Sequence, residues 1–163
     1  MKTRLWSEQL VKQHFPHLRY VRIRTEGRNT AVIYAWNDSL QLPDQDTHRL
    51  KHFAGGYFPQ VCFQVKPYDK VRSDRVPQAK PLPEPILQAA LDRKLNQEGM
   101  MAAVNRLFPC GLLHFMKYDS TTGIIFFGFH SITHVREEDR TLISGYLEEL
   151  LPVGFMCQVD FFS

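Results

Sequence analysis

The chain has 163 residues, 44% apolar and 23% charged, which suits an ordinary globular domain and excludes wholesale disorder. No apolar run reaches the roughly 18 residues that cross a bilayer, and Met1 to Glu8 lacks the apolar stretch and cleavage site of an export signal. The net charge of +3 is unevenly spread: residues 1–80 hold 14 basic and 7 acidic side chains, while residues 81–163 hold 6 and 10, so the first half is basic and the second acidic.

In chain order, Trp6, Leu10, Val11, His14 and Phe15 fall at helical spacing and predict a first helix that stops at Pro16. Leu18 to Arg24 alternates, Glu26-Gly27-Arg28-Asn29 is a turn signal, and Thr30 to Trp36 is a second β run, so a hairpin follows. Pro43-Asp44-Gln45-Asp46 opens a helix with acids in its first turn, where the helix dipole favours them, and Gly55-Gly56 is expected to end it. Val61 to Val65 reads as a closing strand. Lys66 to Pro85 carries five of the ten prolines, which remove donors and fix φ, and so predicts an extended connector.

The order then recurs. Pro85 to Phe108 reads as two helices broken near Asn96 to Gly99. Gly111 to Tyr118 and Gly123 to His130 form a second hairpin. Glu137 to Leu151 is the clearest helix, and Gly154 to Phe162 is the last strand. A shift of 93 residues carries Val11, Phe15, Pro16 and Pro59 onto Val104, Phe108, Pro109 and Pro152 without a gap. The expected fold is α+β: two αββαβ halves from internal duplication, packed as a pseudo-twofold pair with antiparallel hairpins. The halves are residues 1–65 and 86–163, joined by 66–85. The element order is similar to that of KH-like modules. No Gly-x-x-Gly loop joins two helices, however, so the likeness is one of order alone and carries over no residue roles.

Chemistry is sparsely marked. His48 and His52 share a helical face, but zinc needs three or four ligands, and no Cys-x-x-Cys or adjacent pair completes a set; they read as exposed histidines, and no metal or other cofactor is implied. Cys62, Cys110 and Cys157 are odd in number, which predicts reduced thiols and a cytoplasmic location. Cys62 and Cys157 are expected to be inert in strands, with Cys110 accessible. None has a recognisable base, and no phosphate-cradling glycine loop occurs.

Two surfaces stand out. In the first hairpin Tyr20, Arg22 and Arg24 share a strand face near Arg19 and Arg28. With Lys66, Lys70, Arg72 and Arg75 of the connector, they form a candidate for RNA or single-stranded DNA, offering charge to phosphates and rings to bases. In the second, Phe115, Ile124, Phe126, Phe127 and Phe129 make a hairpin apolar on both faces. One face should meet the domain's own helices and the other the first half or a second chain. The leading expectation is therefore a non-catalytic binding or assembly module acting on a protein partner or its own copy, with no membrane role. Nucleic-acid binding is the alternative and an enzyme of unknown class the third.

Overall fold

The computed structural model describes residues 2–163 and is α+β, with two roughly similar halves. The first half runs α1 (Arg4–His14), β1 (Leu18–Gly27), β2 (Thr30–Asn37), α2 (Asp44–Tyr57) and β3 (Cys62–Lys66). The connector contributes α3 (Tyr68–Ser73) and runs into α4 (Glu84–Leu91), whose Ile86 and Ala90 lie in the second half's core. The second half continues with α5 (Gln97–Leu107), β4 (Gly111–Asp119), β5 (Ile124–Ser131), α6 (Glu137–Leu150) and β6 (Met156–Phe162). Each half holds a three-stranded sheet with its hairpin antiparallel and its last strand parallel to the middle one, in the orders β1-β2-β3 and β4-β5-β6. The parallel pairing is made possible by the crossover helices α2 and α6.

Proline sets the helix exits. Phe15, Phe58 and Phe108 each precede a proline and adopt nearly one conformation, with φ of −128°, −129° and −128°. A following proline disfavours α backbone at the residue before it and cannot donate onward, so the helix stops there. Each capping N–H still reaches the carbonyl four residues back, at 2.8 Å to Val11, 2.8 Å to Ala54 and 3.2 Å to Val104. Gly55-Gly56 does not end α2, contrary to expectation; the helix runs on to Tyr57 and stops at the Phe-Pro step. The cost of two exposed glycines, about 1 kcal/mol each relative to alanine, is outweighed by burial of Leu50, Ala54 and Phe58 around them. The connector is also not wholly extended, since α3 folds within it.

The 93-residue register holds for helices and slips in the sheets. Helix limits recur 93 residues on, as Asp44 and Glu137 show, whereas strand starts Thr30 and Cys62 recur 94 on, at Ile124 and Met156. The offsets add up from three differences. β1 carries one more bulge, being irregular between Leu18 and Tyr20 and between Thr25 and Gly27 where β4 is irregular between Phe115 and Lys117. The turn from Asp119 to Ile124 is two residues longer than that from Gly27 to Thr30, and the loop before β6 is one residue longer than that before β3. Pairing therefore matches Tyr20 and Arg22, opposite Trp36 and Tyr34, with Leu112 and His114, opposite His130 and Gly128. One residue of slip turns a side chain to the other face.

The inner face of each sheet packs on its helices. Val21, Ile23, Ala31, Ile33 and Ala35 meet Val11, Leu50 and Ala54 in the first half. Leu113, Phe127 and Phe129 meet Val104, Ile143 and Leu147 in the second. The halves interlock at their seam: Val153 is buried in the first half's core, and the Thr3 hydroxyl donates to the Ala90 carbonyl at 2.5 Å. Arg4 binds Glu8 and Glu149, both at 2.8 Å, so the start of α1 is tied to the end of α6. Burial pushes the Glu8 carboxyl above its usual range, against the pull of Arg4.

Candidate interaction surface

The outer face of the first sheet carries Tyr20, Arg22 and Arg24 on β1, Val32, Tyr34 and Trp36 on β2, and Gln64 and Lys66 on β3. It is covered. Val71 of α3 and Val76 beyond it pack on Val32, Tyr34, Trp36 and Tyr20. Tyr20 stacks on Trp36 with ring centres 3.9 Å apart, and Tyr68 meets the Trp36 ring at 4.9 Å and near a right angle. A polar latch closes the cover: the Tyr34 hydroxyl and the Lys66 ammonium both donate to Asp74 Oδ2 at 2.8 Å. These two bonds hold the Asp74 carboxyl below its ordinary value. Burial first, then the bond to Asp74, push the Tyr34 phenol up to about 12. Arg22 donates to the Pro77 carbonyl and pins the outgoing connector.

That cover decides what the basic hairpin presents. Tyr34 and Trp36 are buried, and Tyr20, Arg22, Arg24 and Lys66 are half-buried. Arg19 is exposed beside Asp38 at 3.7 Å, and Arg28 is exposed on the turn, donating to the Thr121 carbonyl at 3.3 Å. Lys70, Arg72 and Arg75 are exposed on the connector. Cations are thus offered, but the rings beside them are spent on α3. His48 and His52 are both exposed on α2, and among the described residues no cluster of His, Cys, Asp or Glu suits a metal.

The matching face of the second sheet is open. Its positions are Leu112, His114, Met116 and Lys117 on β4, Phe126, Gly128 and His130 on β5, and Gln158, Asp160 and Phe162 on β6. Leu112 is 62% exposed, and Met116 and Phe162 are also exposed. Three rings lie in a row across the strands, His114 on His130 at 4.7 Å and His130 on Phe162 at 4.6 Å. Gly128 allows this: a Cβ there would lie 2.6 Å from the His114 ring. Lys117 sits over the Phe126 ring at 5.0 Å, a cation–π contact. At one end a shallow cavity of about 360 Å³ is lined by Cys110, Leu112, His130 and Ile132, the last 96% exposed.

Of the apolar hairpin residues, Phe127 and Phe129 lie in the domain's own core, while Ile124 and Phe126 are half-buried on the opposite side. Phe115 faces inward at the sheet edge, its ring 6.3 Å from that of Phe127, yet remains exposed. The first half does not lie on the outer face; it meets the second through α1, α4 and α6. Sequence reasoning missed His114, His130 and Phe162, whose only signal was alternation with the buried phenylalanines. The thiols divide differently from expectation. Burial pushes Cys157 up to about 12, but Cys62 is exposed, because its position in β3 points to the outer side beyond the reach of α3. Cys110 is exposed as expected.

A second, broader hollow of about 520 Å³ lies along α6, lined by Glu137, Arg140, Ser144, Glu148 and Phe161. Arg140 is 5.0 Å from the Phe161 ring, and burial raises Glu148. No nucleophile with a positioned base stands there among the described residues.

No helix of the described chain is long and apolar enough to cross a membrane. No protein-family model matches the chain, and none of the curated proteins compared with it matches either.

Proposed function

We propose that this chain is a non-catalytic, cytoplasmic binding and assembly module whose second sheet offers its outer face to a protein partner. One observation carries the reading: Leu112, Met116, His130 and Phe162 stand exposed on a face whose counterpart in the first half is buried under α3. Exposed apolar side chains grouped on a rigid sheet mark an interaction site more often than an idle surface. The two halves are read as copies of one unit about a pseudo-twofold axis, supported by their shared element order and strand pairing. Their counterpart turns meet, Arg28 donating to Thr121 and Gly154 lying against Val61. An experimental structure with different strand orders in the halves would end that reading. Nucleic-acid binding through the first half has less support, since Tyr34 and Trp36 are occupied.

The test is positional. A photo-crosslinking residue at Leu112 or Phe162, in the full chain within its native cell, should form protein adducts that one at Arg19 does not. Absence of adducts at both face positions, or equal yield at Arg19, overturns the proposal. RNA binding that weakens steeply with salt and is lost on charge removal at Lys70, Arg72 and Arg75 would favour the alternative.

A further inference from the structure

We infer that the open face binds a short amphipathic helix from another protein, one that carries a lysine or arginine just past its end, where Asp74 follows α3. This rests on the reading of that face as a binding surface and adds the chemistry of the partner.

The first half shows what an outer face of this topology accepts: a six-residue helix with Tyr68 and Val71 pointing at the sheet, then Val76 and a charged residue that closes onto β2 and β3. Dimensions agree. Three strands spaced about 4.8 Å apart give a face roughly 10 to 15 Å wide, which one helix about 10 Å across fills.

Charge then selects the occupant. Asp74 binds Lys66 and Tyr34 in the first half. The residues paired in the same places in the second sheet are Asp160 and Gly128, so the cation becomes an anion and the phenol is gone. The α3 segment of a second copy would set Asp74 against Asp160, two like charges, and is disfavoured. A basic side chain would instead meet Asp160, whose one Oδ1 contact is a long 3.4 Å bond from Gln158. The aromatic row of His114, His130 and Phe162 supplies the flat apolar ground for the helix, where Trp36 does so for α3.

The probe is a peptide of residues 67–77 of this chain carrying Asp74→Lys, with the unaltered peptide as its control, titrated by fluorescence anisotropy into the full chain. The Lys peptide should bind at least tenfold more tightly than the control. Asp160→Lys in the full chain should reverse that order, and Leu112→Glu should remove binding of both, locating it on the second face. Circular dichroism confirms that each variant is folded. Equal binding of the two peptides, no response to Asp160→Lys, or no binding at all overturns the inference. So does a dimer of the intact chain that Leu112→Glu dissociates, since a second copy would then hold the face. If crosslinks at Leu112 persist while both peptides fail, the face binds a partner of other chemistry. If the crosslinks fail as well, the binding reading itself falls.

Discussion

On the first sheet's outer face Tyr34 and Trp36 are buried beneath α3, whereas the second sheet has Gly128 and an exposed His130 in those places. Both middle strands are apolar on both sides by sequence, Thr30 to Trp36 and Ile124 to Phe129. A two-sided apolar strand usually implies cover on both faces, and β2 obeys. In β5 the outer side chains are shielded only in part, by β4: His114 closes over Gly128 and Lys117 over Phe126, while His130 stays exposed. The contrast shows that cover comes from a neighbouring segment, and that local shielding can stand in for part of it when one position shrinks to glycine.

The largest effect separates the two sides of β5. Phe129→Asp places an unpaired charge in the core and should cost more than about 4 kcal/mol, enough to unfold the domain. Phe126→Asp, on the outer side, should cost about 1 kcal/mol. Urea denaturation of both variants reads the difference, and equal losses would mean that the outer face is covered after all.

Next come the matched positions of the two faces. Trp36→Ala empties the space under α3 and should cost about 3 kcal/mol. His130→Ala should cost less than about 1 kcal/mol, because solvent already reaches the ring. A smaller effect tests the latch. Tyr34→Phe removes the donor to Asp74 but leaves Lys66 in place, and a loss of about 1 kcal/mol is expected. No change would show that the hydroxyl is matched by water in the unlatched state.

The mildest perturbation is pH. The Asp74 carboxyl is held below its ordinary value, so its contribution is present above about pH 4 and is lost as pH falls through the lowered value. Tyr34 is raised, so its contribution holds below about pH 10 and is lost as pH rises toward about 12. Lys66, raised by the bond to Asp74, fails in the same alkaline direction. Tryptophan fluorescence should thus report α3 loosening at both extremes, and Asp74→Asn should abolish the acid limb. The second face has no such latch, and a label at Cys110 beside it should show no matching transition.

Residue order alone determined five of the six helices, the proline exits of α1 and α5, the two hairpins and the division of β5 into two sets, Phe127 with Phe129 on one face and Ile124 with Phe126 on the other; which set lies inward it left open. These follow from short-range rules, namely helical spacing, proline's missing donor and strand alternation, which act within a few residues. Tertiary structure alone decided the rest. The two bulges of β1 and the one of β4 depend on the partner strand and, with the longer second hairpin turn, turned the even 93-residue register into one that slips by a residue in the sheets. The proline-rich connector folds into α3 because Val32, Tyr34 and Trp36 give it an apolar bed, and Asp74 finds Tyr34 across 40 residues of chain. Whether an outer face is shut or open rests on which segment lies over it, a long-range contact that no local spacing records.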